Sequence, residues 1–322
     1  MIEAGPRNNL IGALCALAGA ACFSVNDMMI KFISGDYALH QVVFIRAIIG
    51  VGLTLLAITL FGAGLAALRT GRPGMHALRA LCILGVNTFL FLSLAAIPMA
   101  DALALFFVAP LLIAGLSFTF LGERVGPWRW AAVVIGLIGV VVMLRPGGGG
   151  VQIANLLPLG AALSYAALSL ITRHIGGTES AQTMAVYTQM GFILVGAAMW
   201  ATVGDGRFDR FDDPSLAFLL RAWVWPAPSD WWIFLGVGAA SAGGAFLISQ
   251  AYRMAEVGYA APFEYVALPM AVIWGVLVFA DFPDAATWIG MALIAGGGLL
   301  LIWRETVRAR SPRTPTPAAE AR

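Results

Sequence analysis

The sequence is poor in charge. Only 11% of its 322 residues are Asp, Glu, Lys or Arg, whereas a soluble domain carries about 25%. Lys31 is the only lysine, and the net charge of +2 is spread over short loops, which gives no sign of nucleic-acid binding. With 60% hydrophobic residues and a mean hydropathy of +0.87, the composition excludes a soluble globular domain and predicts an integral membrane protein.

Residue types that carry metal and nucleophile chemistry are also scarce. The three cysteines, Cys15, Cys22 and Cys82, lie in apolar stretches without metal-ligand spacing and are interpreted as buried thiols. The three histidines fall near different helix ends, and neither an HExxH motif nor a nucleophile elbow is present. The glycines at 147–150 lack the Lys-Ser/Thr pair of a phosphate loop. The sequence therefore predicts no metal, no cofactor and no enzyme active site.

Long apolar runs are what the chain has in abundance. A span of a bilayer needs about 20 such residues. Ten runs of this kind are present: 10–33, 38–62, 76–97, 101–121, 127–144, 153–173, 182–203, 231–253, 258–280 and 285–303. The long connection 204–230 is expected to be a surface loop with a short interfacial helix. The fold class is thus an all-α integral membrane protein with ten transmembrane helices.

The arginines indicate the orientation. If the N-terminus is cytoplasmic, most loop arginines fall on the cytoplasmic side, as the positive-inside rule requires. Arg79, Arg173 and Arg253 then lie at cytoplasmic helix ends and are interpreted as orientation charges. We predict a multi-pass membrane protein with both termini cytoplasmic. The Pro- and Ala-rich segment 306–322 is predicted to be a disordered cytoplasmic tail.

Two parts of the chain repeat one another. The segment AAIPMADALALFFVAP, which ends at Pro110, aligns with AEVGYAAPFEYVALP, which ends at Pro269. The chain is therefore divided into two five-helix repeats, 8–145 and 151–305. Because five is an odd number, the halves must insert in opposite senses. Inverted repeats are typical of transporters, whose substrate site lies near the midplane between the halves.

Two motifs identify a family resemblance. LGER at Leu121–Arg124 and APFEY at Ala261–Tyr265, together with the repeat, resemble the EamA-like branch of the drug/metabolite transporter superfamily over about residues 8–305. One departure is that ADFP at Ala280–Pro283 replaces LGER in the second half, so an acid is kept and its basic neighbour is lost. The second half most resembles members described as S-adenosylmethionine or riboflavin uptake proteins.

The resemblance implies a secondary carrier that moves a small organic metabolite across the bacterial inner membrane by alternating access. Uptake of S-adenosylmethionine or a riboflavin-like compound, and export of amino acids or other metabolites, are the candidate activities. The expected partners are a small-molecule substrate, the lipid bilayer and a coupled proton, with the protein a monomer or homodimer. The alternative is a membrane enzyme or sensor built on the same fold.

Polar residues inside the apolar runs are the candidate substrate or coupling residues, since burying them in hydrocarbon is costly. They are Asp27, Lys31, Arg46, Asn87, Tyr165, Gln189, Gln250, Glu264 and Tyr265. The spacing of Asp27 and Lys31 also suits a simple helix-surface pair, and Lys31 could instead reach the headgroups. Arg46 could pair with Asp27 or form an anion site. Asn87 and Gln250 could be interhelical hydrogen bonds, and the tyrosines could be packing residues.

Glu264 has the most informative surroundings. The positions that share its helix face, Ala267, Leu268, Ala271 and Gly275, are mostly small, which predicts that this face points into the protein. Pro269 cannot donate to the Tyr265 carbonyl, so a kink is expected beside the acid. A kink and a buried carboxylate make Glu264 the leading site for substrate or proton, with a purely structural acid as the alternative.

Overall fold

In a computed structural model, residues 6–61, 70–121, 127–145, 152–175, 181–255 and 260–310 are described, and within these ranges the chain is helical without strands. The helices are α1 (Pro6–Ile33), α2 (Leu39–Phe61), α3 (Pro73–Ala96), α4 (Met99–Phe106), α5 (Ala109–Leu121), α6 (Pro127–Leu144), α7 (Ile153–Ile175), α8 (Ala181–Val203), α9 (Pro214–Leu220), α10 (Trp231–Met254), α11 (Ala267–Phe279) and α12 (Ala285–Arg310). The all-α membrane fold predicted from composition is confirmed.

The apolar runs of the sequence coincide with these helices. Within the described ranges, nine helical segments are long and apolar enough to cross a membrane, and Trp130–Leu144 is a shorter apolar helix at the fifth predicted run. The count of ten spans therefore stays a prediction. The last helix continues to Arg310, so residues 306–310 of the predicted disordered tail are helical, and the rest of that tail lies outside the described residues.

The two segments paired by the sequence repeat are both irregular. The fourth span breaks at Phe107–Val108, between α4 and α5, because Pro110 has no N–H to donate to the Phe106 carbonyl. The ninth span begins as a 3-10 helix, Ala261–Val266, and becomes α-helical only at Ala267, two residues before Pro269. The irregularity expected beside Glu264 is present, as a tighter helical segment that contains the acid.

Eight spans form a closed ring of helix contacts. In order, the ring runs α1, α10, α2, α8, α3, α7, α4–α5 and α11, which packs back on α1, so α1 and α3 occupy opposite positions. The α6–α12 pair packs outside the ring, against α4 and α5. At its crossing, a Cβ on Gly139 would lie 2.8 Å from the Gly290 carbonyl, so only glycine permits this close approach.

One end of the ring is covered by residues 204–230, and we refer to it as the capped end. The covering segment contains α9, the short helix expected in this connection, whose N-cap residue Asp213 accepts a hydrogen bond from the Leu216 N–H at 3.0 Å. Side chains tie this segment to the ring: Ser215 Oγ donates to Leu92 O at 2.8 Å, Arg221 Nη1 donates to Ser34 O at 2.9 Å, Gln41 exchanges hydrogen bonds with the backbone of Val224, and Tyr37 donates to Asp230.

Candidate functional site

The polar side chains within the ring form two groups. The Arg46 group consists of Asn26 and Asp27 on α1, Arg46 on α2 and Asn87 on α3. The Glu264 group consists of Arg79 on α3, Tyr165 on α7, Tyr252 on α10 and Glu264 on the 3-10 helix. The Arg46 group joins α1 and α3, which lie opposite each other in the ring. The Glu264 group joins α3 of the first predicted repeat to helices of the second. Such groups are expensive in a membrane and mark functional paths by default.

Arg46 is a buried cation with few partners. It is 4% exposed, and its Nη2 donates to Asn87 Oδ1 at 3.0 Å. The Phe91 and Phe192 rings flank it, with centroids 5.3 Å and 5.0 Å from the guanidinium carbon. Its Nε–H has no hydrogen-bond partner among the described residues. Neutral groups and aromatic faces, instead of a carboxylate, thus hold this charge in place.

Asp27 lies close enough to Arg46 for their charges to interact, but the two side chains form no ion pair within 4 Å in the described structure. Asp27 Oδ1 instead accepts from Asn26 Nδ2 at 3.0 Å. The direct Asp27–Arg46 pair considered from the sequence is therefore not formed. A gap between two opposite buried charges leaves each only partly compensated.

Lys31 corrects the sequence interpretation most clearly. Its Nζ donates to the carbonyls of Leu94 and Ile97, both at 2.8 Å, at the C-terminal end of α3. The ammonium also lies 5.1 Å from the centroid of the Phe279 ring. Neither the Asp27–Lys31 helix-surface pair nor a headgroup-directed lysine is found, because the free carbonyls at a helix C-terminus attract a cation more strongly. Lys31 thus links α1 to α3, across the ring.

Glu264 accepts a hydrogen bond from the Tyr252 hydroxyl. Tyr165, on α7 of the same predicted repeat, is close enough to interact electrostatically with Glu264. The helix face that starts at Glu264 is buried at Ala267, Leu268, Ala271 and Gly275, whereas Ile273 and Leu277 on the other face are 49% and 74% exposed. The predicted inward orientation of this face is confirmed.

Tyr265 has a packing position. Its ring lies 4.9 Å from that of Phe107, at the break in the fourth span. A Cβ on Gly298 would lie 1.7 Å from the Tyr265 hydroxyl oxygen, so the tyrosine fits against α12 only because residue 298 is glycine. The hydroxyl has no hydrogen-bond partner among the described residues. Tyr265 therefore joins the two irregular spans, a contact that the sequence did not reveal.

Arg79 was interpreted as an orientation charge, and the structure gives it specific partners. Its Nε donates to Thr172 Oγ1 at 2.9 Å, and its Nη1 donates to Met184 O at 3.1 Å and to Thr188 Oγ1 at 2.9 Å. It also interacts electrostatically with Tyr165. Arg79 is thus part of the Glu264 group. Its place inside the third apolar run, six residues into α3, was the signal that could have identified it.

The remaining candidate residues stand apart from these groups. Gln189 packs against α2, where a Cβ on Gly50 would lie 2.5 Å from its Nε2, and its buried Oε1 is unpartnered among the described residues. Gln250 is half-buried on α10 and has no side-chain hydrogen bond with described residues. Arg173 and Arg253 have no described side chains. The structure tests none of these residues for function.

Within the described ranges, no group of three or more His, Cys, Asp or Glu residues could hold a metal ion. Outside the membrane spans, Arg145 pairs with Asp284 next to the capped end. The hydrogen bond from Arg145 holds the pKa of the Asp284 carboxyl well below its ordinary value, and the Thr287 backbone N–H reinforces that shift. This pair joins the end of α6 to the residue that precedes α12.

A ring of apolar spans with acids and cations enclosed between its halves defines a class of proteins, the membrane carriers. Comparison with known proteins identifies the family. Residues 10–145 match the EamA-like transporter family. A riboflavin transporter of Rhizobium johnstonii is 31% identical over 95% of this chain and 96% of its own length. An S-adenosylmethionine uptake transporter of Rickettsia prowazekii is 26% identical over 93% of this chain and 95% of its own length.

The fold is also similar to that of a protein crystal structure, with a TM-score of 0.63 over 93% of this chain and 99% of the other. Its 22% identity supports the fold alone. The chain belongs to the EamA-like transporter family, and it is a secondary transporter of small organic metabolites.

Proposed function

We propose that this protein imports riboflavin, or a metabolite that shares its flat carbonyl-bearing ring, across the inner membrane. The observation that carries the proposal is similarity along nearly the whole chain to a protein named as a riboflavin transporter. The surroundings of Arg46 suit this substrate class because its buried Nε–H has no acceptor among the described residues and the side chain is flanked by Phe91 and Phe192. Small-molecule sites are mostly apolar, and a few placed polar groups fix the orientation of the ligand.

Two inverted five-helix repeats, 8–145 and 151–305, are the proposed framework for this transport. The helix contacts support it, because exchanging the halves turns each contact in the ring into another that is observed. The α1–α10 pair corresponds to α3–α7, and α10–α2 corresponds to α3–α8. An internal symmetry of this kind lets each half act in turn as the gate for the other side.

We propose that the structure represents the state closed to the outside, with the capped end on the periplasmic side and both termini cytoplasmic. Lys31 supports this assignment because it joins opposite helices, α1 and α3, at the capped end. The corresponding helices of the second half, α7 and α10, have no comparable contact in the described ranges. Alternating access would then release Lys31 and bring α7 towards α10 at the cytoplasmic end.

Glu264 is the proposed coupling residue, with a proton as the coupled ion. Its carboxylate lies on an irregular helix that packs against α1 of the first half, accepts a hydrogen bond from Tyr252, and interacts electrostatically with Tyr165. A carboxyl group between two halves can be protonated in one state and ionised in the other, because the conformational change alters its exposure to water. We propose a transport role for these residues, in preference to a membrane enzyme or sensor.

Complementation tests the substrate. A bacterial host that cannot synthesise riboflavin, and that lacks its own importer, should grow on low external riboflavin when it expresses this protein. Uptake of labelled riboflavin into proteoliposomes measures transport directly. S-adenosylmethionine is the second candidate, favoured by the relative named for its uptake. Uptake of S-adenosylmethionine without uptake of riboflavin would overturn the flavin proposal and keep the transporter assignment.

A further inference from the structure

Arg46 has hydrogen-bonding capacity that the protein leaves unused. A guanidinium carries five N–H donors and is always charged. Among the described residues, only one of these donors, on Nη2, has a hydrogen-bond acceptor, Asn87 Oδ1 at 3.0 Å, and the buried Nε–H has none. With 4% exposure, the side chain has little water to complete these bonds. A buried cation whose N–H donors lack acceptors costs folding free energy, so its presence needs a functional explanation.

The surroundings hold the guanidinium in one orientation. Asn87 donates its Nδ2 to Ile83 O at 2.8 Å, which turns its Oδ1 towards Arg46. Phe91 and Phe192 approach from α3 and α8, within 5.3 Å and 5.0 Å. Neutral and aromatic partners position the cation without neutralising it, unlike a carboxylate, which would occupy its donors. Such an arrangement is preorganised for an outside acceptor.

The position in the bundle also suits a ligand. Arg46 lies seven residues into α2, or about 10 Å along the helix from the capped end. A small cavity of about 30 Å³, which Arg46 itself does not line, borders two of its partners, Asn87 and Phe192. Arg46 thus lies between α2, α3 and α8, helices drawn from both predicted halves, where alternating access changes the contacts.

We propose that Arg46 is the oxygen-recognition subsite of the carrier: its free N–H donors bind a carbonyl or carboxylate oxygen of the transported molecule, with Asn87 and the two phenylalanines holding the guanidinium in place. This inference rests on the proposed transport function and specifies its ligand contact. Flavins offer two ring carbonyls, and S-adenosylmethionine offers a carboxylate. Both supply the same acceptor chemistry, so the ligand source is decided by experiment.

Binding to purified protein in lipid nanodiscs provides the first test. Riboflavin and S-adenosylmethionine are titrated separately against wild type, Arg46→Gln, Arg46→Lys and the control Arg304→Gln. The control also removes an arginine that stacks on aromatic rings, those of Trp128 and Trp303, but outside the Arg46 group. Because a charged hydrogen bond is lost, the affinity of Arg46→Gln for the ligand should fall about 10- to 100-fold. Arg46→Lys should also bind weakly because an ammonium lacks the planar fork.

Thermal stability without ligand provides the second test, and it does not depend on which ligand is transported. If the donors of Arg46 serve a ligand, Arg46→Met should leave the Tm of the empty protein unchanged or raise it, because an undercompensated buried cation is removed. If Arg46 is a scaffold residue, Tm should fall by several degrees.

The outcomes separate the two proposals. Loss of riboflavin binding in both Arg46 variants, with the control unchanged, supports both. Wild-type binding of S-adenosylmethionine alone, lost in Arg46→Gln, overturns the flavin substrate and supports the subsite. Wild-type affinity in folded Arg46→Gln overturns the subsite. If wild type binds neither compound, the proposed substrates fail, and a lowered Tm in Arg46→Met overturns the subsite while an unchanged or raised Tm supports it.

Discussion

Replacing Lys31 with Met should open the capped end. Lys31 is the only lysine, and its Nζ holds the Leu94 and Ile97 carbonyls at 2.8 Å each. Methionine has a similar unbranched length but no donor, so the link between α1 and α3 is lost. Fold and insertion should be retained, because α1 is held mainly by its long interface with α10 and also packs against the 3-10 helix and α11.

The size of the effect follows from the bonds removed. A hydrogen bond to a charged group contributes about 1.5–3 kcal/mol net. We count the two hydrogen bonds of the Lys31 ammonium as one such contribution, because the ammonium and the carbonyls become hydrated again when the capped end opens. At about 1.4 kcal/mol per factor of ten, the equilibrium should shift towards the capped-end-open state by roughly 10- to 150-fold.

Electron-spin distance measurements would detect this shift. Spin labels at Gly35→Cys and Pro98→Cys, with the three native cysteines replaced by serine, report on the separation of α1 from the α3–α4 turn. Both positions are exposed, and nothing lies within 4 Å of a Cβ at Gly35. The longer-distance population should grow in Lys31→Met. Arg145→Met, which removes a different contact beside the same end, should leave the distances unchanged.

A wild-type distance distribution in Lys31→Met, at equal expression and insertion, would refute the assignment of Lys31 as the closure of the capped end. An equal shift in Arg145→Met would show instead that any lost polar contact loosens this end. The two variants together therefore distinguish a specific closing link from general surface stabilisation.

Three further outcomes are expected. Glu264→Gln should insert normally and lose most transport, whereas Tyr252→Phe should keep more of it; wild-type transport by Glu264→Gln across pH would remove Glu264 from the coupling role. A cysteine at Phe208, in the segment over the capped end, should react with a membrane-impermeant reagent in intact spheroplasts, and labelling only after permeabilisation would reverse the proposed orientation. Arg145 lowers the folded-state pKa of Asp284, so the pair should stabilise the protein at pH values above the ordinary aspartate pKa of about 3.9. This stabilisation should be lost as the pH falls through the folded-state pKa. The difference in Tm between wild type and Arg145→Gln should therefore disappear in strong acid.

Much of the architecture was set by local sequence pattern. Hydrophobic length defined the spans, since an apolar run of about 20 residues has few stable alternatives to a membrane helix. The small residues at Ala267, Ala271 and Gly275 predicted the buried face beside Glu264, because a helix presents every third and fourth residue on one side. Pro269 indicated where the ninth span becomes irregular, whereas the break before Pro110 in the fourth span was not predicted.

The partners of the buried charges were decided only by tertiary structure. Asp27 and Lys31 are a turn apart, yet the carbonyls that bind Lys31 lie 63 and 66 residues away along the chain. Arg46 likewise meets Asn87, and Arg79 meets Thr172 and Thr188, through helix packing. The sequence determined which charges enter the membrane, because burial follows local hydrophobicity. Their neighbours depend on how the helices are arranged around the ring, and no local pattern specifies that arrangement.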